Sequence, residues 1–117
     1  MLKELKNAMR ITVDAHDALL ANFLMAGASD LEIAGVVTTE TVSFTIGTND
    51  AVTDTSTMQD PKLKQAVLTY AAAAAERFWN GPSADALRDS YEEQKGQLMH
   101  ATGYTDYGED AEEDGNG

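Results

Sequence analysis

The chain has 117 residues, about the length of one ordinary domain, and 43% apolar with 24% charged residues describes a soluble globular protein rather than a disordered one. With 20 acidic against 8 basic side chains, a net charge of −12, it lacks the cationic surface that holds phosphate backbones, which disfavours a sequence-reading DNA binder and points to protein partners. The absence of cysteine excludes a disulfide framework, a thiol nucleophile and a thiolate metal site, and fits an intracellular origin or a particle assembled in the cytosol.

An opening helix is predicted by Leu2, Leu5 and Met9, spaced three and four apart, with Lys3, Glu4, Lys6 and Asn7 on the other side. A second helix is expected to start at Thr12 or Asp14, either able to accept the orphan N–H bonds, with Asp17 adding favourable charge in the first turn. Its apolar stripe is Leu20, Phe23, Leu24, Gly27, Leu31 and Ala34, and Gly35 is its stop. From Ile11 to Pro61 there is no Lys or Arg, while eight acids fall in that stretch.

Between Val36 and Asp60 the character changes: eight of the twelve threonines lie here, and alternating Val42, Phe44 and Ile46 precede Gly47-Thr48-Asn49-Asp50. That pattern predicts one strand near Thr41 to Ile46, a partner around Val52 and a long mobile connection, the first candidate for an interaction arm.

Asp60-Pro61 then gives a helix start, Asp as N-cap and Pro at the first helical position. Leu63, Val67, Tyr70, Ala74 and Phe78 make one apolar stripe, and Leu68, Ala72, Ala75 and Trp79 a second. A helix apolar on most of its circumference is buried on several sides, and in so short a chain a neighbouring subunit is a candidate for the extra cover. Adjacent helical residues point about 100° apart, so of Phe78 and Trp79 one is expected in the core and the other on a second surface. Asn80-Gly81-Pro82 ends this helix and Ser83 is expected to cap the next, whose stripe is Ala84, Leu87, Tyr91 and Leu98, with Gly96 on the opposite side and Gly103 closing it. The expected fold class is mainly α: a bundle of about four helices over residues 1–103, a Thr-rich loop or β-like arm at 36–60, and an acidic C-terminal tail at 104–117. The tail holds six of the acids and nothing basic.

Three motifs are lookalikes. Lys3, Lys6 and Arg10 ahead of the run Ala18 to Ala28 imitate a signal peptide, but Glu4, Asp14, His16 and Asp17 spoil the pattern. Residues 110–115, Asp-Ala-Glu-Glu-Asp-Gly, mimic the opening of a calcium loop, yet position three is Glu and the sequence ends before the bidentate ligand. His16 and His100 stand in helices without the nucleophile and orienting group that catalysis needs, and Ser29, Ser83 and Ser90 lack a nucleophile-elbow context. No enzyme, metal, cofactor or membrane span is expected.

Three segments in order carry a family resemblance: Leu2-Lys3-Glu4-Leu5-Lys6-Asn7-Ala8-Met9-Arg10-Ile11-Thr12 leading into Asp17-Ala18-Leu19-Leu20; Asp60-Pro61-Lys62-Leu63-Lys64-Gln65-Ala66-Val67-Leu68; and Tyr91-Glu92-Glu93-Gln94-Lys95 through Ala101-Thr102-Gly103-Tyr104. Together with the helix between them they resemble the head-tail connector (adaptor, or head-completion) proteins of tailed bacteriophages over most of residues 1–107. Order, spacing and chain length carry the likeness, while the Thr-rich segment and the acidic end do not match residue by residue.

The resemblance implies a non-enzymatic helical subunit of the virion, assembled in the host cytoplasm. About twelve copies would form a homo-oligomeric ring between the portal protein and the next tail-side neck or stopper protein, closed by a head-to-tail contact. DNA would pass through the lumen without sequence-specific binding, which suits a wall poor in Lys and Arg. Phe44, Ile46 and Trp79 are the candidate subunit contacts, and Tyr104 and Tyr107 the candidate portal contacts. The competing reading is an acidic regulatory module, a DNA mimic or antitoxin-like inhibitor of a basic protein; a hydrolase or metal-dependent enzyme rests on no motif.

Overall fold

The computed structural model describes residues 1–100. Leu2 and Leu5 are the buried face of α1 (Leu2–Met9), which ends where Arg10 turns left-handed at φ 60° and the Ile11 N–H returns to the Lys6 carbonyl at 2.8 Å. The helix is too short to stand alone. It is held by its leucines and by Glu4, whose carboxylate meets Lys64 Nζ at 2.9 Å; that bond and the amino terminus keep Glu4 below the usual carboxylate range.

The second helix, α2 (Asp17–Ala34), begins later than Thr12 or Asp14. The Asp14 carboxylate is taken by Lys6 at 2.7 Å, and Lys6 also reaches Asp17 at 2.8 Å, so the expected cap is spent on an ion pair with α1 and His16 stands at the N-cap position instead. Those two bonds, Asp14 first, raise the Lys6 ammonium above its ordinary value. Leu20, Leu24 and Leu31 are buried as the stripe requires, and Gly35 stops the helix at φ 105°.

Residues 36–60 form an antiparallel hairpin rather than a loose connection. Strands β1 (Phe44–Ile46) and β2 (Val52–Asp54) pair Phe44 with Asp54, Thr45 with Thr53 and Ile46 with Val52. The turn between them places Asn49 at φ 63°, a left-handed position that Asn tolerates. Pairing then continues toward the base through Thr55 N–H to the Ser43 carbonyl and Thr57 N–H to the Thr41 carbonyl, both 2.9 Å. Hydroxyls complete this stretch: Thr41 N–H donates to Thr57 Oγ1 at 2.9 Å and Ser43 N–H to Ser56 Oγ at 3.0 Å. Val42, Phe44 and Val52 pack against the core, and Val36 and Met58 at the base belong to it.

Asp60 opens α3 (Pro61–Phe78) by accepting from the Lys62 and Leu63 N–H groups at 2.9 and 3.3 Å. This helix is the centre of the domain, with Leu63, Ala66, Val67, Ala71 and Ala75 among its buried residues. The cover for its broad apolar surface comes from the chain itself, α1, α2 and α4 all packing on it; no neighbouring subunit is needed for that purpose. Its alanines let the helices approach closely, and Gly27 of α2 faces Tyr70 so tightly that a Cβ there would lie 3.0 Å from the ring. Phe23 and Phe78 meet edge to face, their centroids 6.3 Å apart, so α2 and α3 run antiparallel.

Asn80 ends α3 in a left-handed conformation at φ 56°, with the Gly81 N–H returning to the Glu76 carbonyl. Ser83 opens α4 (Ala84–His100) through its backbone: its carbonyl accepts from Leu87 N–H at 2.9 Å while its own N–H donates to Glu76 Oε1 at 3.2 Å. Ala84, Tyr91 and Leu98 are buried and Leu87 is half-buried. The fold is thus mainly α, four helices with a hairpin between the second and third.

Candidate functional site

Two apolar surfaces are left uncovered at opposite ends of the α2–α3 pair. At one end Phe78 is 58% and Trp79 40% exposed. The expectation that one of these two would join the core is overturned: α3 ends at Phe78, beyond the reach of the packed interior, so both rings lie outside. They are nonetheless ordered by edge-to-face contacts, Trp79 with His16 at 5.1 Å and with Phe78 at 5.4 Å between centroids. At the other end Ile33 is 83% exposed, with Val37 also exposed just past the helix stop. An 18-residue helix spans roughly 27 Å, so the two patches are well separated.

Of the arm residues, Ile46 is exposed near the hairpin tip, whereas Phe44 is half-buried against the core. The ring contacts of Trp79 are with His16 and Phe78 rather than with the arm. Tyr104 and Tyr107, the acidic tail, Gly103 and the calcium-loop lookalike lie outside the described residues.

Beside the Phe78 end, α2, α3 and α4 enclose an open groove of about 570 Å³. Phe23, Tyr70 and Phe78 supply its aromatic lining, and Arg77 and Arg88 line it at the Phe78 end. Its other end is a polar knot: the Tyr91 hydroxyl donates to Asp30 Oδ2, which also meets Lys95 Nζ at 3.3 Å, and Lys95 reaches Glu92 at 3.2 Å. Burial pushes the Tyr91 phenol up, and its bond to the Asp30 carboxylate pushes it further, so it is a permanent donor here. Burial opposes the Lys95 charge, but Glu92 and Asp30 outweigh it and raise the ammonium above its usual value.

Sequence reasoning missed Ile33 and the groove. The signal for Ile33 was present, since a residue two positions from Leu31 points to the far side of the helix. The groove had none, because it depends on how three helices end relative to one another.

His16 packs on Trp79, and among the described residues no group of three or more His, Asp or Glu is placed to hold a metal ion. No described helix is long and apolar enough to cross a membrane. No family model, curated protein or solved structure matches the chain.

Proposed function

We propose that the chain is a structural subunit of the head-tail connector in a tailed bacteriophage virion, one of about twelve copies in a ring between portal and tail. The observation that carries this reading is the pair of unlike apolar patches, Phe78–Trp79 and Ile33–Val37, at opposite ends of the bundle. A ring closed by rotation needs two different surfaces on each copy that are complementary to one another, whereas a two-fold dimer needs a single self-complementary one. The order and spacing of the three sequence segments supply the family, and the charge of −12 suits a conduit along which DNA slides. In this role Trp79 and Ile46 contribute to contacts between copies, and Tyr104 and Tyr107 to contact with the portal; the tail-side face docks the next neck protein.

The test is recovery of the tagged full-length chain from phage-producing cells, with the mass of the complex and its components measured. Recovery with a large ring-forming protein at near-equal stoichiometry supports the connector. A one-to-one complex with a single basic protein overturns it in favour of the inhibitor reading.

A further inference from the structure

We infer that the groove between α2, α3 and α4 is the docking site of this chain's own C-terminal segment, with Tyr104 and Tyr107 on its aromatic lining, Asp106 at Arg88 and the following acids toward Arg77. This goes beyond the connector reading and does not rest on it.

Charge is the first argument. Of the eight cations, Lys6, Lys64 and Lys95 are held in close pairs at 2.7 to 3.3 Å. Among the described residues Arg77 and Arg88 make long contacts, 3.6 Å to Asp85 and 3.9 Å to Asp89, with carboxylates that are themselves largely exposed. Their guanidinium forks therefore retain donors for a further carboxylate. Lys3, Arg10 and Lys62 lie on α1, at its end and on the first turn of α3, and the groove beside Lys3 is lined by no aromatic side chain. The three-helix groove combines aromatic lining with both of these guanidinium groups.

Length is the second. Arg88 stands twelve residues before His100, so it lies roughly 18 Å back along α4. An extended chain advances about 3.3 Å per residue. Doubling back from His100, such a chain comes level with Tyr91 near Tyr104, with Arg88 near Asp106 and with Asp85, which Arg77 meets, near Tyr107. Glu109 and Asp110 follow, at the end of the groove that Arg77 and Phe78 occupy. The register thus sets the two tyrosines beside the polar knot and the aromatic lining, and puts acid against arginine instead of against Asp30 and Glu92. The fold-back also covers Phe78, so the free subunit shields one of its two apolar ends.

The chain has no cysteine, so a single nitroxide can be placed at D110C in the full-length ¹⁵N-labelled protein. The expected result is strong broadening of the Ala74, Phe78 and Arg88 amide signals, reversed by Y107S, a substitution outside the described residues, and by R77Q with R88Q. Broadening confined to the last turn of α4, or groove broadening indifferent to both sets of substitutions, overturns the proposal. A mixture of ¹⁵N-labelled unmodified chain with nitroxide-bearing unlabelled chain serves as control. Groove broadening that persists in that mixture shows docking between copies and overturns the intramolecular site. No portal protein enters the experiment, so its result is independent of the connector test.

Discussion

Tyr91 of α4 and Asp30 of α2 are 61 residues apart in sequence, yet the phenol donates directly to the carboxylate across the bundle. The tyrosine is 2% exposed, and its ring stacks edge to face on Tyr70 with centroids 5.1 Å apart. One side chain thus fastens α4 to both α2 and α3. Y91F keeps the ring packing and removes only the donor, leaving Asp30 with Lys95. A hydrogen bond to a charged acceptor contributes about 1.5–3 kcal/mol, so the midpoint of urea unfolding should fall by that equivalent with the slope unchanged. An unchanged midpoint would show that the bond contributes nothing net.

The two mid-helix glycines should respond oppositely to the same substitution. At Gly96 of α4 a Cβ meets nothing within 4 Å, so G96A should add about 0.5–1 kcal/mol of stability by helix propensity alone. At Gly27 of α2 a Cβ falls 3.0 Å from the Tyr70 ring edge and 3.1 Å from its Cβ, an atom fixed to the α3 backbone. There the propensity gain is outweighed by forcing the helices apart, and overpacking of this kind costs about 1–3 kcal/mol. Thermal melts of G27A and G96A side by side decide the matter: a stabilised G27A would mean that the α2–α3 contact is looser than the structure has it.

Local signals made much of this fold legible. Asp60-Pro61 and Gly35 set helix ends through bonds to their own neighbours, and the leucine stripes of α1 and α2 follow directly from helical period. What escaped depends on distant partners. The start of α2 moved because Lys6, on another helix, holds Asp14. The arm is ordered because Thr and Ser hydroxyls stand in for ladder partners between residues 12 to 16 apart, a role that composition does not reveal. Phe78 and Trp79 both stayed outside, since burial at a helix terminus depends on whether a neighbouring helix extends far enough to meet it.

The arm is tied to the first helix by Asp54, whose Oδ2 accepts from the Met1 ammonium at 2.7 Å and from Leu2 N–H at 3.0 Å. Burial pushes this carboxyl up, but the ammonium and the N–H bonds from Leu2 and Ser56 prevail and hold it at about 2. Its pKa is lower folded than unfolded, where about 3.9 is usual. The stability it contributes is therefore present above pH 4 and is lost as pH falls from about 4 to about 2. Solvent screening of this partly exposed pair limits the effect to about 1 kcal/mol. In D54N that increment should be missing at pH 7, and the loss of stability between pH 4 and 2 should be shallower than in the unaltered chain. Parallel acid titrations would sink the assignment.

The two-patch geometry makes a sharper demand on assembly. If every contact joins the Phe78–Trp79 end of one copy to the Ile33–Val37 end of the next, a chain lacking either end cannot associate with itself. I33E and W79E should each be monomeric, under conditions in which the unaltered chain forms rings, while staying folded because both residues are exposed. Mixed together, the intact aromatic end of I33E can meet the intact aliphatic end of W79E, and that pair has no matching surfaces left to extend. Native mass spectrometry should therefore show one-to-one heterodimers and nothing larger. A two-fold contact through the aromatic end predicts otherwise: I33E would self-associate unaided and W79E would be inert in the mixture, which would remove the head-to-tail arrangement on which the ring depends.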